Sequence, residues 1–495
     1  MTVRTRIAPS PTGTPHLGTA YIALFNKAFA EQQQGQFILR IEDSDAARST
    51  KKSEIDICES LQWLNLRWDE GPDVGGPRGP YRVSERLPIY REHAQQLLHN
   101  GCAFRCFCSP ERLVEVRQAQ QKRKETPKYD GHCLGLSPQE SKRRADAGEP
   151  FVVRLRVPPD GECTFTDQIR GEITIPWQQV DMQVLVKSDG FPTYHLCATV
   201  DDHLMGITHI LRGEEWLSSC PKHVLLYDYF GWDFQKLYHL PLLRNKDQSK
   251  MSKRKNPTGI HYYRDRGYIP EALLNYLGTM GWSMPDGREQ FSYDEFVEKL
   301  DLKRITPRGP VFDSEKLDWL NGVYLRDLDD ADFQNRYLAW AQRADLGKLS
   351  SMLKERAERF DQVLPQVAYL VGEPAPFDAD SFVHKSLVNE DIVKILDFAE
   401  RTLDTVADWQ SEAIAAALRS TAEKCSFKPR EFLAPLFVAI SGKKVALPLF
   451  DSIETLGEEL TRARLRTAID FLGGISNKSR KKLDKEWEAL FSSDA

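Results

Sequence analysis

The residues on either side of Pro9 most constrain the fold, because they predict a strand, a helix and a second strand in close succession. Residues 3–8 alternate in polarity and run into the proline, which is typical of a short strand that ends in a turn. Apolar residues then recur at helical spacing up to Gly35, the expected helix stop, and a second strand is predicted over 37–41. Such a unit forms a parallel crossover, and sheets of this kind bind ligands at the carboxyl ends of their strands. The turn after Pro9 is therefore a candidate ligand site.

This turn, PSPTGTPHLGT over residues 9–19, has the chemistry of a phosphate site. The first N–H groups of the following helix are free, and its dipole favours an anion. His16 adds a hydrogen-bond donor, and Gly18 has no Cβ, so an adenine ring could approach the backbone closely. An ordinary turn built from Pro and Gly explains this stretch equally well when it is taken alone. The usual phosphate loops, G-x-x-x-x-G-K-[ST] and G-x-G-x-x-G, are absent, so ATP would be bound in another way.

A second stretch, SKMSKR over residues 249–254, changes how the first is interpreted. Alone, Lys250, Lys253 and Arg254 are typical of a solvated surface run. Beside a phosphate-binding turn, however, a basic loop stabilises the charge that develops on leaving pyrophosphate. Positioning and electrostatics then carry the reaction without a covalent intermediate. Together the two stretches indicate an enzyme that activates a carboxylate with ATP.

Both stretches resemble the signatures of one family. The first resembles the HIGH motif of the class I aminoacyl-tRNA synthetases, and KMSKR resembles their KMSKS loop. More narrowly, the chain resembles the bacterial glutamyl-tRNA synthetases across residues 3 to about 325. The segments that carry this likeness are TRIAPSPTG, AYIALFN, RIEDSD, DEGPDVGGPRGPYRVSER, YDGHC, SDGFPTYHL, VDDHLMGITHILRGEEW and GPVFDSEKLDWLNG.

The resemblance implies a multidomain fold with an α/β Rossmann-like catalytic domain, formed by residues 1–85 and 200–260. A mixed α/β insertion over 86–199 is expected to hold the acceptor end of tRNA, and residues 261–330 are expected to contact the tRNA stem and link the domains. Beyond residue 330 strand alternation almost disappears, and helical patterns such as DIVKILDFAERTLDTV replace it. We therefore expect residues 331–495 to form an all-α anticodon-binding region.

The reaction that the resemblance implies has two steps. The α-carboxylate of glutamate attacks the α-phosphorus of ATP, with Mg²⁺ on the phosphates, and gives glutamyl-adenylate and pyrophosphate. The 2'-hydroxyl of the terminal tRNA adenosine then attacks the adenylate carbonyl. His16, Gly18, Lys250 and Lys253 match the catalytic positions of the family. The full set of implied ATP contacts is Pro9, Ser10, Thr12, Gly13, His16, Leu17, Gly18, Thr19, Lys250, Met251, Ser252, Lys253 and Arg254.

Recognition of glutamate requires cations in a fixed geometry for its side-chain carboxylate. The resemblance implies that Arg6, Arg212 and Tyr194 bind this γ-carboxylate. A pocket with two arginines should reject glutamine, whose amide leaves a buried cation unpaired. The other implied substrate contacts are Glu42 for the ammonium group, and Ala8 and Ser10 for backbone and hydroxyl contacts.

Three cysteines of the insertion resemble a zinc site that some relatives contain: Cys106, Cys108 and Cys133. A closed structural site needs a fourth ligand. The family's fourth position is Gly135 here, which has no ligand atom, so Tyr129 or His132 would have to substitute. Three ordinary reduced cysteines are the alternative, and the sequence alone leaves zinc binding open.

Length, cysteine content and charge agree with a cytoplasmic tRNA-binding enzyme. A chain of 495 residues is long enough for three or more domains. Nine irregularly spaced cysteines are typical of a reducing compartment, and the sequence shows neither a signal peptide nor an apolar run of membrane-spanning length. The formal net charge of -5 argues against indiscriminate nucleic-acid binding but permits a local basic face for tRNA. We expect a monomer, as is usual in the family.

Several alternatives stay open. The chain could also charge tRNA(Gln), because the side chains that read the anticodon cannot be identified in the sequence. A truncated relative that attaches glutamate to a modified tRNA nucleotide lacks an anticodon domain, and the helical region after residue 330 argues against it. A small HxGH-type nucleotidyltransferase would be shorter and would not need the complete KMSKR loop. A catalytically silent tRNA-binding protein would not need His16, Gly18, Lys250 and Lys253.

Overall fold

A computed structural model describes residues 2–45, 47–252, 257–378 and 380–491. The chain divides into two compact units. The first unit comprises residues 1–251 and 269–324, and the second comprises residues 252–268 and 325–495. All nine strands of the described chain belong to the first unit, and the described part of the second unit is helical.

The first unit begins with the strand–helix–strand pattern that the sequence predicts: β1 (Arg4–Ile7), α1 (Leu17–Gln32) and β2 (Gln36–Leu39). β1 and β2 pair in parallel. The second strand is shorter than the predicted 37–41, and Ile41 forms an isolated bridge with Arg82 instead. The regular ladder stops there because Pro9, which follows β1, has no N–H group to donate.

The next elements follow in chain order as α2 (Lys51–Trp63), α3 (Leu87–His99), β3 (Ala103–Cys106), α4 (Pro110–Lys122), α5 (Pro138–Asp146), β4 (Val152–Leu155), β5 (Glu162–Asp167), β6 (Gly171–Pro176), β7 (Val184–Val186), α6 (Tyr194–Leu204), β8 (His209–Gly213), α7 (Cys220–Phe230), β9 (Lys236–Leu240), α8 (Ile260–Asp265), α9 (Pro270–Gly278), α10 (Tyr293–Lys299) and α11 (Ser314–Asp327). Of these, α8 belongs to the second unit. The strands β3, β4 and β7 form one antiparallel sheet. A second sheet has the order β6-β5-β9-β8, in which β8 and β9 are parallel.

Hydrogen bonds of Thr208, the residue before β8, tie it to the start of β1. The N–H of Thr208 donates to the carbonyl oxygen of Arg4 at 3.0 Å, and the N–H of Arg4 donates to Thr208 Oγ1 at 2.9 Å. The two strands therefore run side by side, and their carboxyl ends meet at one edge of the first unit. The hairpin of β5 and β6, which lies inside the predicted insertion, shares a sheet with β8 and β9.

The second unit continues with α12 (Asp330–Ala341), α13 (Ser350–Arg356), α14 (Leu364–Val371), α15 (Asn389–Leu403), α16 (Ser411–Lys424), α17 (Pro429–Ser441), α18 (Leu449–Phe471) and α19 (Asn477–Phe491). Its core contains fully buried side chains from four of these helices: Leu396, Leu418, Phe432 and Leu465. The predicted fold class, an α/β part followed by an all-α region, is confirmed. The finer division into four domains stays a prediction. None of the described helices is both long enough and apolar enough to span a bilayer.

Candidate functional site

A cleft of about 460 Å³ opens where the carboxyl ends of β1 and β8 meet. The structure brings twelve of the predicted site residues together in its wall. They are Arg6, Ala8, Pro9, Ser10, His16, Gly18, Thr19, Glu42, Tyr194, Arg212, Lys250 and Met251. The two signature stretches, more than 200 residues apart in the sequence, thus line one cleft.

The other predicted ATP contacts are not among the described residues that line the cleft. Thr12, Gly13 and Ser252 do not line the cleft. Leu17 is fully buried at the start of α1, where it supports the helix from the core side. Lys253 and Arg254, the remaining predicted members of the basic loop, lie outside the described residues.

The N-terminus of α1 forms one end of the site. His16 is the N-cap of this helix, and its Nδ1 accepts a hydrogen bond from the N–H of Gly18 at 2.8 Å. A neutral imidazole in this arrangement carries its proton on Nε2. A Cβ on Gly18 would lie only 3.1 Å from His16 Nδ1. The first turn of α1 contains no acidic residue, so the positive end of the helix dipole is available to an anion.

Lys250 reaches the cleft from a short hairpin. The N–H of Asn245 donates to Ser249 O at 2.8 Å, and the N–H of Met251 donates to Leu243 O at 3.0 Å. Met251 is almost completely buried, whereas Lys250 is exposed. Burial of the methionine therefore anchors the loop and leaves the neighbouring ammonium group in solvent at the edge of the cleft.

Arg6 is a buried arginine whose charge is already balanced. Its Nε and Nη2 donate to the two carboxylate oxygens of Asp202 at 3.1 and 3.0 Å. Arg40 also donates to Asp202, at 2.8 Å. Burial alone would raise the pKa of Asp202, but the two guanidinium groups lower it below its usual value. Asp202 is therefore ionised and fixes the Arg6 fork in the wall of the cleft.

Arg212 is buried to the same degree, but neutral groups surround it. Its Nε donates to His239 Nε2 at 3.0 Å, and its Nη2 donates to Cys220 Sγ at 3.0 Å. Its Nη1 donates both to the hydroxyl of Tyr194 and to His223 Nδ1, each at 3.2 Å. Within the described ranges no carboxylate forms an ion pair with Arg212, which is 5 % exposed. A buried cation without a counter-ion strongly favours an anionic ligand.

Glu42 is the buried carboxylate of the cleft. Its Oε1 accepts a hydrogen bond from Arg40 Nη2 at 3.3 Å. Burial raises the pKa of Glu42 to about 7, and the charges of Arg40 and Arg6 only partly oppose this rise. A carboxylate that burial destabilises in this way gains from a cationic ligand, so it suits an ammonium group.

Three further lining residues, within four positions after Arg212, were not predicted. Trp216 packs against Tyr194 with the ring centroids 4.0 Å apart. Gly213 and Glu215 also line the cleft, and a Cβ on the glycine would come 2.0 Å from Glu215 Oε2. The signal was present in the sequence, because all three residues lie in the segment HILRGEEW that contains Arg212.

The three predicted zinc cysteines come together in the insertion. The sulfurs of Cys106, Cys108 and Cys133 lie within 4.8 Å of one another, and those of Cys108 and Cys133 are 3.6 Å apart. The Tyr129 hydroxyl oxygen lies 3.3 Å from Cys106 Sγ and 3.7 Å from Cys108 Sγ. It also accepts a hydrogen bond from the N–H of Cys133 at 2.8 Å. His132, the other predicted fourth ligand, is exposed and does not belong to this cluster.

Two guanidinium groups lie beside this cluster, and Asp130 forms an ion pair with one of them, Arg112. Arg112 Nη1 donates to Cys108 Sγ at 3.5 Å, and the Arg154 guanidinium lies 4.1 Å above the Tyr129 ring. Burial would raise the pKa of Cys106, but hydrogen bonds from Tyr129 and its neighbours lower it below its usual value. Burial raises the pKa of Cys108 to about 11, so the surroundings favour the thiolate, the form in which cysteine binds a metal, at Cys106 but not at Cys108.

Comparison with known proteins identifies both parts of the chain. The family model described as "tRNA synthetases class I (E and Q), catalytic domain" matches residues 2–319, and the model "Anticodon binding domain" matches residues 326–469. The glutamate–tRNA ligase of Pseudomonas savastanoi pv. phaseolicola is 52 % identical over 495 residues, which is 100 % of either chain. The Pseudomonas aeruginosa glutamate–tRNA ligase is 51 % identical over 490 residues, or 99 % of this chain and 98 % of the relative.

A solved structure agrees with these relatives. The crystal structure of a glutamate tRNA ligase from Elizabethkingia meningosepticum, in complex with its amino acid, is 32 % identical in sequence. The match covers 95 % of this chain and 100 % of that chain, with a TM-score of 0.66.

Proposed function

This chain belongs to the glutamate–tRNA ligases, which are class I tRNA synthetases, and we propose that its cleft joins L-glutamate to tRNA(Glu) at the expense of ATP. The predicted enzyme class is confirmed by relatives that match the full chain. The match to an anticodon-binding domain argues against the truncated relative, and the full-length matches argue against a small nucleotidyltransferase.

The unbalanced charge of Arg212 is the observation that carries the choice of amino acid. The γ-carboxylate of glutamate brings the negative charge that this buried guanidinium lacks. Arg6 adds oriented N–H donors but little net charge, because Asp202 already balances it. Glutamine would offer hydrogen bonds without the charge and would leave the Arg212 cation uncompensated. We therefore expect the cleft to prefer glutamate strongly over glutamine.

The other end of the amino acid is assigned to the remaining polar groups of the cleft. In this proposal Glu42 binds the ammonium group, and the Tyr194 hydroxyl joins Arg212 at the γ-carboxylate. Ala8 and Ser10 supply backbone and hydroxyl contacts beside them. Opposite charges at the two ends of a short pocket fix both the identity and the direction of the substrate.

The triphosphate is assigned to the N-terminus of α1 and to the basic loop. The positive end of the helix dipole, the His16 imidazole and the Lys250 ammonium together suit phosphate oxygens. Lys253 and Arg254 complete the loop in this proposal. ATP is expected to arrive with Mg²⁺ on its phosphates. The Gly18 backbone would let the adenine approach the helix.

Activation then needs no covalent enzyme intermediate. A glutamate α-carboxylate oxygen attacks the α-phosphorus of ATP, and the bond to the pyrophosphate oxygen breaks. The negative charge that grows on pyrophosphate is stabilised by His16 and Lys250. In the second step the terminal adenosine 2'-hydroxyl attacks the adenylate carbonyl, and AMP leaves with the electron pair of the broken bond. We assign no side chain as a general base.

The remaining partners follow from the rest of the chain. We propose that the insertion over 86–199 holds the acceptor end of tRNA, that residues 261–330 contact its stem, and that the helical region after residue 330 binds the anticodon. We further propose a cytoplasmic monomer. None of the nine cysteines forms a disulfide, which is compatible with a reducing compartment.

ATP–pyrophosphate exchange tests the assignment. Exchange should require glutamate, should fail with glutamine, and should depend on tRNA(Glu), because the family tends to need bound tRNA before it activates glutamate. Exchange without tRNA would instead match the truncated relative. No exchange from folded protein under any of these conditions would leave a silent tRNA-binding protein. Charging of tRNA(Glu) and tRNA(Gln) transcripts side by side then decides which tRNAs are substrates.

We also propose that the insertion binds one structural zinc ion through Cys106, Cys108, Cys133 and Tyr129. Two sulfurs held 2.3 Å from one tetrahedral zinc lie about 3.8 Å apart, close to the distance between Cys108 and Cys133. Three sulfurs and one phenol oxygen thus lie close to one another. Elemental analysis should find one zinc per chain, lost in Cys106→Ser and retained in Cys58→Ser, whose thiol lies outside the cluster. Protein purified without stoichiometric zinc from zinc-supplemented medium would contradict this proposal.

A further inference from the structure

Three of the side chains that accept hydrogen bonds from Arg212, with two further side chains that contact them, form a connected buried network, which we call the Arg212 cluster. It consists of Asp167 on β5, His195 on α6, Cys220 and His223 on α7, and His239 on β9. All five side chains are buried. Of these groups only Asp167 is a carboxylate, and it contacts His239 rather than Arg212. The arginine is thus held entirely by uncharged acceptors.

Asp167 determines how His239 is protonated. Its Oδ2 lies 2.7 Å from His239 Nδ1 and also accepts the N–H of His239 at 3.0 Å. Burial would raise the pKa of Asp167, but the contact with His239 and two backbone N–H groups lower it. The ionised carboxylate holds the imidazole proton on Nδ1. His239 Nε2 therefore presents a lone pair, which accepts the Nε–H of Arg212.

His223 is oriented in the opposite sense. Its Nδ1 accepts from Arg212 Nη1, so its proton lies on Nε2. This Nε2 is 3.1 Å from His195 Nδ1, to which it donates. Arg212, His223 and His195 thus form a chain of hydrogen bonds that runs in one direction. The two imidazoles that touch Arg212 use different ring nitrogens, Nδ1 in His223 and Nε2 in His239.

We propose that His223 and His239 are positioning residues for glutamate, which fix the Arg212 guanidinium while leaving its positive charge available to the γ-carboxylate. This inference rests on the proposed function. Arg6 provides the internal comparison, because a carboxylate partner fixes that arginine and also neutralises it. Neutral acceptors supply the same geometric restraint without the neutralisation.

The imidazoles remain uncharged at working pH. Burial lowers the pKa of His239 to about 4, and the charge of Arg212 adds to this effect, whereas the Asp167 contact opposes it. Burial also lowers the pKa of His195 to about 3 and that of His223 well below its ordinary value. A second cation beside the buried arginine would be unfavourable, so neutrality follows from the packing of the cluster.

Replacement of each histidine by Asn and by Gln tests which ring nitrogen accepts the hydrogen bond from Arg212. Asn carries its amide oxygen where imidazole carries Nδ1, and Gln carries it where imidazole carries Nε2. We expect His223→Asn and His239→Gln to keep the KM for glutamate within about threefold of wild type in tRNA(Glu) charging. His223→Gln and His239→Asn should raise it by about tenfold or more, because one hydrogen bond to the guanidinium is lost. The KM for ATP should stay within about twofold in all four variants.

A charge variant separates positioning from simple structural support. His223→Asp and His223→Asn have the same shape, but the aspartate would neutralise Arg212. We expect the aspartate variant to raise the KM for glutamate by about a hundredfold over the asparagine variant while melting at the same temperature or higher. A purely structural role predicts the opposite, since an ion pair with Arg212 would restore the packing best.

The outcomes distinguish this inference from the proposed function. Wild-type protein that does not charge tRNA(Glu) with glutamate would refute the proposed function itself. Two results would overturn the inference if the wild-type protein charges normally. In the first, the same amide, Asn or Gln, gives the lower KM for glutamate at both histidines. In the second, His223→Asp has a KM for glutamate as low as that of His223→Asn. Should the variants at one histidine fail to fold, the matched pair at the other still decides, because each pair makes its own prediction.

Discussion

Replacement of Arg212 by glutamine is the sharpest test of the amino-acid pocket. Arg212→Gln keeps a hydrogen-bond donor and most of the volume but removes the buried charge. If the γ-carboxylate binds at this residue, the variant should lose activity with glutamate much more than any residual activity with glutamine. The KM for ATP should not change, because the phosphate groups are assigned to α1 and the basic loop.

The expected size of the effect follows from the surroundings of Arg212. Its four hydrogen bonds to the protein use four of the five N–H groups of a guanidinium. Arg212 can therefore offer the substrate its positive charge and one direct hydrogen bond. Two unit charges 4 Å apart at a partly buried site attract by about 4 kcal/mol. This corresponds to a loss of about a thousandfold in kcat/KM for glutamate. For neutral glutamine only a hydrogen bond is lost, about tenfold to a hundredfold.

Charging of tRNA(Glu) at subsaturating amino acid measures the loss in kcat/KM for glutamate and the loss for glutamine. Arg212→Lys is the matched control, because it keeps the charge but loses the planar fork, and it should retain part of the preference for glutamate. Arg67→Gln, at an exposed position of the same unit, should behave as wild type. If Arg212→Gln charges glutamate within tenfold of wild type, Arg212 does not bind the γ-carboxylate and the pocket assignment is wrong.

Three further predictions concern the ammonium site, the basic loop and the helical unit. A carboxylate must be ionised to bind an ammonium group, and burial raises the pKa of Glu42 to about 7. We therefore expect kcat/KM for glutamate to fall about tenfold per pH unit below pH 7. Glu42→Gln should remove this fall from the pH profile. Lys250→Ala should lower the rate of pyrophosphate exchange by about a hundredfold with little change in the KM for glutamate. Gly442→Ala should lower the free energy of unfolding by about 2 kcal/mol in denaturant titrations, because φ is +72° there and a Cβ would lie 2.2 Å from Ala375 O.

Much of the fold could be predicted because its signals are local. The alternation before Pro9 and the helical spacing after it are properties of adjacent residues, and both elements lie where they were expected. The role of Gly35 is different from the predicted helix stop. The residue with the left-handed backbone is Gln34, with φ +51°, and Gly35 is required because a Cβ would come 2.2 Å from Val3 O. That contact joins two elements, so the local pattern did not reveal it.

The sequence by itself determined which residue types form the cleft, because the two signature stretches and HILRGEEW are contiguous motifs. Only the tertiary structure decided whether the charge of each residue is balanced by its neighbours. Arg6 and Arg212 look alike in the sequence, yet Asp202 of α6 balances one of them and neutral groups from α6, α7 and β9 surround the other. These partners come from separate elements, and periodicity indicates which residues are buried but not which polar groups meet. The charge offered to the substrate is therefore a property of the packed fold.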